Sequence, residues 1–134
     1  MRTYLAGPMR NHFRYNFPAF DAAAADLRSQ GLSVVNPAEI DRHNGFDPVT
    51  LPDDWDWREL PKDLDLRQTV RNDLIALVTC DSIHLLPGWQ DSKGATAERA
   101  VAEWVGLGVF EYTSELLGSS QMNCGEAREP QRDC

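Results

Sequence analysis

Positive charge is scarce in this chain: Lys and Arg number 13 against 21 Asp and Glu, for a formal net charge of −8. That balance argues against a nucleic acid polymer as partner, because polymer-binding surfaces carry a basic stripe that displaces counterions from the phosphates. A small anionic ligand is still admissible, since a few local donors outweigh the global field at short range. Long apolar runs are also missing. Residues 1–8 lack the core of a signal peptide, and no segment reaches the length that spans a bilayer, so a cytoplasmic protein with no membrane association is expected. The 3 cysteines, Cys80, Cys124 and Cys134, form neither a metal spacing nor a disulfide framework. Cys80 reads as a buried thiol. His12, His43 and His84 form no ligand cluster, and neither a metal nor a cofactor is expected. His84 lies in an apolar run and reads as a satisfied core histidine. Internal repeats are absent.

What remains is an ordinary globular composition, 42% hydrophobic and 25% charged over 134 residues, enough for one domain with one core. A short apolar stretch at residues 4–6 ends in Gly7-Pro8, as a buried strand ends in a tight turn. Phe17, Phe20, Ala24 and Leu27 then recur at helical spacing, with Asn16 as N-cap and Gly31 as stop. Residues 33–35 are a second strand closed by Asn36-Pro37, which completes a strand–helix–strand crossover. Asn36 either reaches a site from the loop edge or simply turns the backbone. Leu66, Val70, Leu74, Leu77 and Val78 mark a second amphipathic helix, and residues 82–86 a third strand. Ala97, Val101, Trp104 and Val105 give a further helix its core face, and residues 109–112 a fourth strand. Such alternation predicts an α/β fold, an open parallel sheet of about four to five strands with helices on both faces and ligand at the carboxyl ends of the strands.

The periodicity fails between residues 41 and 63, where Pro48, Pro52, Pro61, Asp53, Asp54, Asp56, Trp55 and Trp57 crowd together. A loop of this length in a compact domain is functional or disordered, and its two tryptophans favour function, as a lid. The domain is expected to cover residues 1–117, and the polar segment 118–134 to be a disordered tail.

Residues 86–98 carry the richest local signal: a strand end, a Gly-containing loop with Gly88 and Gly94, a helix start, and Glu98 soon after it. A helix N-terminus offers unpaired N–H groups and the positive end of the helix dipole, which suits an anion and favours an ionised carboxylate. Taken singly, each residue also has a plain structural role. Glu98 can be a glutamate near a helix start that interacts with the dipole, worth about 0.3–1 kcal/mol. Asp73 can be a polar residue on a helix edge, Arg10 a solvated arginine, Ser92 a helix cap, and Tyr4 a strand aromatic. Trp55, Trp57 and Trp89 can stack on a ligand or anchor loops to the core.

Three separated motifs, residues 4–10 (Tyr4-Leu5-Ala6-Gly7-Pro8-Met9-Arg10), Asp73, and Ser92-x-Gly94-x-x-x-Glu98, occur in an order and spacing that resembles the nucleoside 2-deoxyribosyltransferase superfamily. The likeness extends over about residues 1–112. Within that superfamily the chain looks most similar to the nucleoside 5'-monophosphate N-glycosidases and to uncharacterised phage-type variants, the latter through Leu86-Pro87-Gly88-Trp89. The resemblance implies a flavodoxin-like core with Glu98 as nucleophile on the anomeric carbon. It further implies Asp73 as the group that handles the departing base, and Tyr4 as the hydroxyl touching the nucleophile. Where transferases carry an aspartate for the free 5'-hydroxyl, this chain has Ser92, as the monophosphate hydrolases do. A hydroxyl donates to a phosphate that a carboxylate would repel. Arg10 and Gly94 would complete the phosphate cradle, with Lys93 adding charge or facing solvent. Gly7, Pro8, Met9, Trp89, Trp55 and Trp57 would line the substrate.

The implied reaction is N-glycosidic cleavage through a glycosyl-enzyme, with Asp73 raised in pKa by partial burial and Glu98 held lower by the helix dipole. A homodimer or higher homo-oligomer is implied as well, with polar residues borrowed from a neighbour's C-terminal segment, for which Ser114, Ser119 and Ser120 are candidates. Base exchange by a transferase, and nucleotide binding without turnover, are the alternatives.

Overall fold

Four short apolar segments become strands: β1 (Arg2–Ala6), β2 (Ser33–Val35), β3 (Ser82–Leu85) and β4 (Gly108–Glu111). In this computed structural model, which describes residues 1–113, they form one parallel sheet in the order β2-β1-β3-β4. The expected tail at 118–134, the domain end at 117, and Ser114, Ser119 and Ser120 lie outside the described residues. Tyr4 stands opposite Val35 on one side and Ile83 on the other. Chain order reverses between β1 and β3, so the crevice at their carboxyl ends is the topological switch point where open α/β sheets bind ligands.

The pleat divides the core. Leu5 and Val34 pack with Phe17, Phe20, Ala24 and Leu27 of α1 (Phe17–Ser29), while Tyr4, Ala6, Ile83 and Leu85 face α3 (Leu66–Val78) and α4 (Lys93–Trp104). Helices thus cover both faces, as an α/β flavodoxin-like fold requires. Gly31, at φ +92, ends α1 in the left-handed conformation that favours glycine. His84 accepts its expected place, its Nδ1 2.7 Å from Thr3 Oγ1 and its ring stacked on Phe110, and burial pushes its pKa down to about 4. Cys80 is a buried free thiol.

Several local expectations need correction. Asn16 occupies the N-cap position of α1 but caps nothing with its side chain; at φ 65 it turns its amide to donate to the Pro8 carbonyl at 2.9 Å. Asn36 is a buried helix cap, its Oδ1 accepting from the Ala38 N–H at 3.0 Å. It starts α2 (Pro37–His43), which occupies the beginning of the stretch expected to be irregular. The core faces of α3 and α4 are narrower than the spacing predicts: Leu74, Leu77 and Val101 pack on the core as expected, but Val78, Trp104 and Val105 do not. Trp104 is 86% exposed, Val105 50% and Val78 51%, and the residues of α4 buried against the sheet are Ala95 and Ala102, with Val101 partly buried beside them. Small residues let α4 approach the sheet closely, and hydrophobicity alone does not say which of two apolar stripes turns inward. Leu66, Val70, Ala97 and Val101 line an open cleft.

At Gly7, where β1 leaves the sheet, an added Cβ would sit 2.7 Å from Leu86 Cβ, a main-chain-proximal atom with no freedom to swing aside. Gly7→Ala is therefore expected to lower the unfolding free energy by about 1–3 kcal/mol. Denaturant melts read this directly, and an unchanged midpoint would show that β1 and Leu86 separate without cost.

Candidate active site

Above the carboxyl ends of β1 and β3 opens a cleft of about 590 Å³. The turn Gly7 to Arg10 forms one wall, the start of α4 another, and α3 and α2 a third. Tyr4, wholly buried in β1, donates from its hydroxyl to Glu98 Oε2 at 2.7 Å. Asp73 lines the same cleft from α3, and its buried Oδ1 has no hydrogen-bond partner among the described residues. The structure therefore brings Tyr4, Glu98 and Asp73, which stand far apart in the chain, to one place.

Their electrostatics follow from burial. Desolvation, reinforced by the charges of Glu98 and Asp41, pushes the Asp73 carboxyl up to about 8. Burial also lifts Glu98, to about 7, against the Tyr4 hydrogen bond that favours its charged form. Glu98 remains lower than Asp73, yet it is raised where the helix dipole was expected to hold it down. The reason is position: α4 begins at Lys93, so Glu98 is past the first turn, within which the dipole's effect is confined. Tyr4 is itself raised well above its ordinary value, by burial first and then by the neighbouring carboxylates.

The start of α4 brings hydrogen-bond donors and positive charge to the cleft. Ser92 caps α4, its Oγ accepting from the Ala95 N–H at 3.1 Å, which leaves the hydroxyl hydrogen free to donate. Lys93, Gly94 and Arg10 line the cleft beside it. The nearest atom to a Cβ placed on Gly94, outside its own helix backbone, is Ser92 Oγ at 4.0 Å, so none of the described residues crowds that backbone. Pro8 and Met9 complete the wall.

The tryptophans are placed elsewhere. Trp55 Nε1 donates to the Tyr15 hydroxyl at 2.9 Å, and that hydroxyl donates to the Glu59 carbonyl. Trp57 meets Tyr15 edge-on at 5.0 Å, and its carbonyl accepts from the Asn11 N–H at 2.9 Å. Both fasten the segment after α2 to the α1 side of the core. Trp89 packs on the opposite face under the Arg99 guanidinium, 5.3 Å from its ring centre. None of the three lines the cleft. Its aromatic lining is Tyr15, Phe17, Phe20 and Phe46. Tyr15 is held there by a strained turn in which Arg14, Tyr15 and Asn16 have φ of 51°, 51° and 65°.

Sequence reasoning also missed Asp41, in the last turn of α2, which is buried and lines the cleft. A signal for it was present: Asn36, Pro37 and Glu39 make an N-cap, first-turn proline and third-position glutamate, the pattern of a helix start. Among the described residues no helix is long and apolar enough to cross a membrane.

Comparison with known proteins agrees with this architecture. The 2-deoxyribosyltransferase of the psychrotolerant bacterium Bacillus psychrosaccharolyticus is similar in structure at a TM-score of 0.54 and 20% identity, over 90% of this chain and 82% of that one. The likeness shows a common fold. A search of the curated proteins finds no match. The model of a domain of unknown function, DUF4406, matches residues 1–111, nearly all that the structure describes, and the chain belongs to that family.

Proposed function

We propose that the protein is an N-glycosidase that hydrolyses a nucleoside 5'-monophosphate to the free base and a sugar 5-phosphate. The observation that carries this reading is the buried Tyr4 hydroxyl 2.7 Å from Glu98, in a cleft shared with Asp73 and with the anion-ready start of α4. Glu98, as carboxylate, attacks the anomeric carbon as the bond to the base nitrogen breaks, and the Asp73 proton passes to the leaving base. Water then attacks the anomeric carbon, gives a proton to Asp73, and releases Glu98. The order of the two raised pKa values, about 8 for Asp73 and about 7 for Glu98, suits an acid and a nucleophile working together near neutral pH. Ser92, Arg10, Gly94 and Lys93 hold the phosphate.

Incubation with a panel of nucleoside monophosphates and the matching nucleosides, with free base followed by chromatography, tests the reading. Release from unphosphorylated nucleosides alone would overturn the phosphate assignment. Ser92→Asp isolates the charge, because aspartate caps a helix as well as serine does. It is expected to lower kcat/KM for the monophosphate by about 10²-fold or more, a loss of the size that desolvated like charges produce, with a far smaller change for the free nucleoside.

Transfer of the sugar to a second base is the other reading, favoured by the fold shared with a 2-deoxyribosyltransferase. Incorporation of a labelled acceptor base distinguishes it. The homodimer belongs to the same proposal. Trp104, at 86% exposure, and Val105, at 50%, offer apolar surface for a second copy.

A further inference from the structure

Asp41 is a buried carboxyl that the proposed reaction does not use. Its residue is 8% exposed, it lines the cleft, and none of the described residues donates a hydrogen bond to its carboxylate. The guanidinium groups that could neutralise it are committed elsewhere. Arg42, its neighbour on α2, pairs with Asp21 at 2.5 Å, and Arg28 holds Glu39 in a two-pronged contact at 2.7 and 2.8 Å. A carboxyl buried with no donor is costly, and among the described residues only the charge of Arg42, already paired with Asp21, offsets part of that cost. Nor is it part of a cation site: among the described residues no group of three His, Cys, Asp or Glu side chains has the arrangement to hold a metal ion.

What surrounds Asp41 defines what would satisfy it. Phe20 and Phe46 give the cleft flat apolar surface suited to a planar ring, and the charge of Asp41 is felt by Tyr4, Asp73 and Glu98. The donors Ser92, Lys93, Gly94 and Arg10 are set on the α4 start and the β1 turn; of the carboxyls, Glu98 lies further along α4 as the proposed nucleophile, while α2 and α3 contribute Asp41 and Asp73. A ligand that fills the cleft therefore meets donors from the α4 start and the β1 turn with its anionic part and the carboxyls of α2 and α3 with N–H donors. We infer that Asp41 reads the base, and that the substrates are nucleotides whose base bears an exocyclic amino group, as cytosine, adenine and guanine do. An ionised carboxylate has only lone pairs to offer, so it accepts from an amino group and repels the carbonyl oxygen that replaces it in uracil or hypoxanthine. This inference rests on the nucleotide reading above and narrows it to a substrate class.

The test compares kcat/KM for matched pairs of monophosphates, cytosine against uracil and adenine against hypoxanthine, in the ribose and the deoxyribose series, for the wild-type protein and Asp41→Asn. The wild type is expected to prefer the amino-bearing member of each pair by about tenfold or more. Asparagine, nearly the same shape but able to present either an oxygen or an N–H, should reduce that preference to within about threefold. Equal use of both members by the wild type, or a preference that survives Asp41→Asn, overturns the role of Asp41 while leaving the glycosidase reading intact. Calorimetric titration of the same nucleotides covers the remaining case: if none is cleaved and none binds, the nucleotide reading falls, and the inference falls with it. The wild-type comparison decides the question even if the variant melts early.

Discussion

Glu98→Gln should give a folded protein that releases base at least about 10³-fold more slowly than the wild type, because the amide keeps the shape of the side chain and removes the nucleophile. The glutamine oxygen still accepts from Tyr4, whose hydroxyl lies 2.7 Å from the carboxylate, so the geometry of β1 against α4 persists. Stability should not suffer. Glu98 titrates near 7 because its charge is poorly solvated, and a neutral amide relieves that burden above neutral pH. Rapid quenching followed by mass spectrometry supplies the second readout: a sugar-phosphate adduct on the wild type and none on the variant. Full activity in the variant would place the nucleophile on another residue and sink the proposed mechanism.

Asp73→Asn should move activity and stability in opposite directions. Loss of the general acid lowers kcat by about 10²–10⁴-fold. It also removes the alkaline limb of the pH–rate profile, which in the wild type falls as the Asp73 proton is lost around 8. For stability, the carboxyl keeps its proton up to about 8 in the folded chain against 3.8 for an ordinary aspartate, so folding takes up a proton between those values. The stability that this group contributes is complete below 3.8 and is lost as pH rises through about 8. Each unit of raised pKa corresponds to about 1.4 kcal/mol, so the variant should be the more stable protein by several kcal/mol on the alkaline side. His84 acts in the opposite sense, since burial holds its pKa near 4, and stability tied to it is lost as pH falls from its ordinary value toward 4. The quantity to measure is therefore the difference between the wild-type and variant melting curves across pH, in which His84 cancels. A difference that stays flat from pH 4 to 9 would show that Asp73 is not held protonated by the fold.

The two substitutions draw on residues that were legible for different reasons. The alternation of strands and helices was readable because each strand carries a short apolar run and most turns are marked by Gly, Pro or Asn, the turn at residues 79–81 between α3 and β3 being the exception. Gly7-Pro8 after β1 and Asn36-Pro37 after β2 are such marks. The buried stripe was readable on α1, where Phe17, Phe20, Ala24 and Leu27 all pack inward, and in part on α3 through Leu74 and Leu77, but not on α4, which carries two apolar faces. On α4 the fully buried residues against the sheet are the alanines Ala95 and Ala102, with Val101 partly buried beside them, while Trp104 is exposed. The tryptophans misled for a related reason. Trp55 and Trp57 in a polar segment suggested ligand stacking, whereas it is Tyr15 that lines the cleft, with both tryptophans packed against it.

By itself, the sequence determined the α/β architecture, the positions of its turns, and the three motifs that put Tyr4, Asp73 and Glu98 forward as one group. Periodicity and turn chemistry are local properties, and they survive in a linear string. Only the tertiary structure decided that Glu98 is raised toward 7, that Ser92 caps α4 with a hydrogen to spare, and that Asp41 is buried without a donor. Those facts depend on which groups are withdrawn from water and which partners meet them across the fold. Desolvation and pairing are properties of the packed chain.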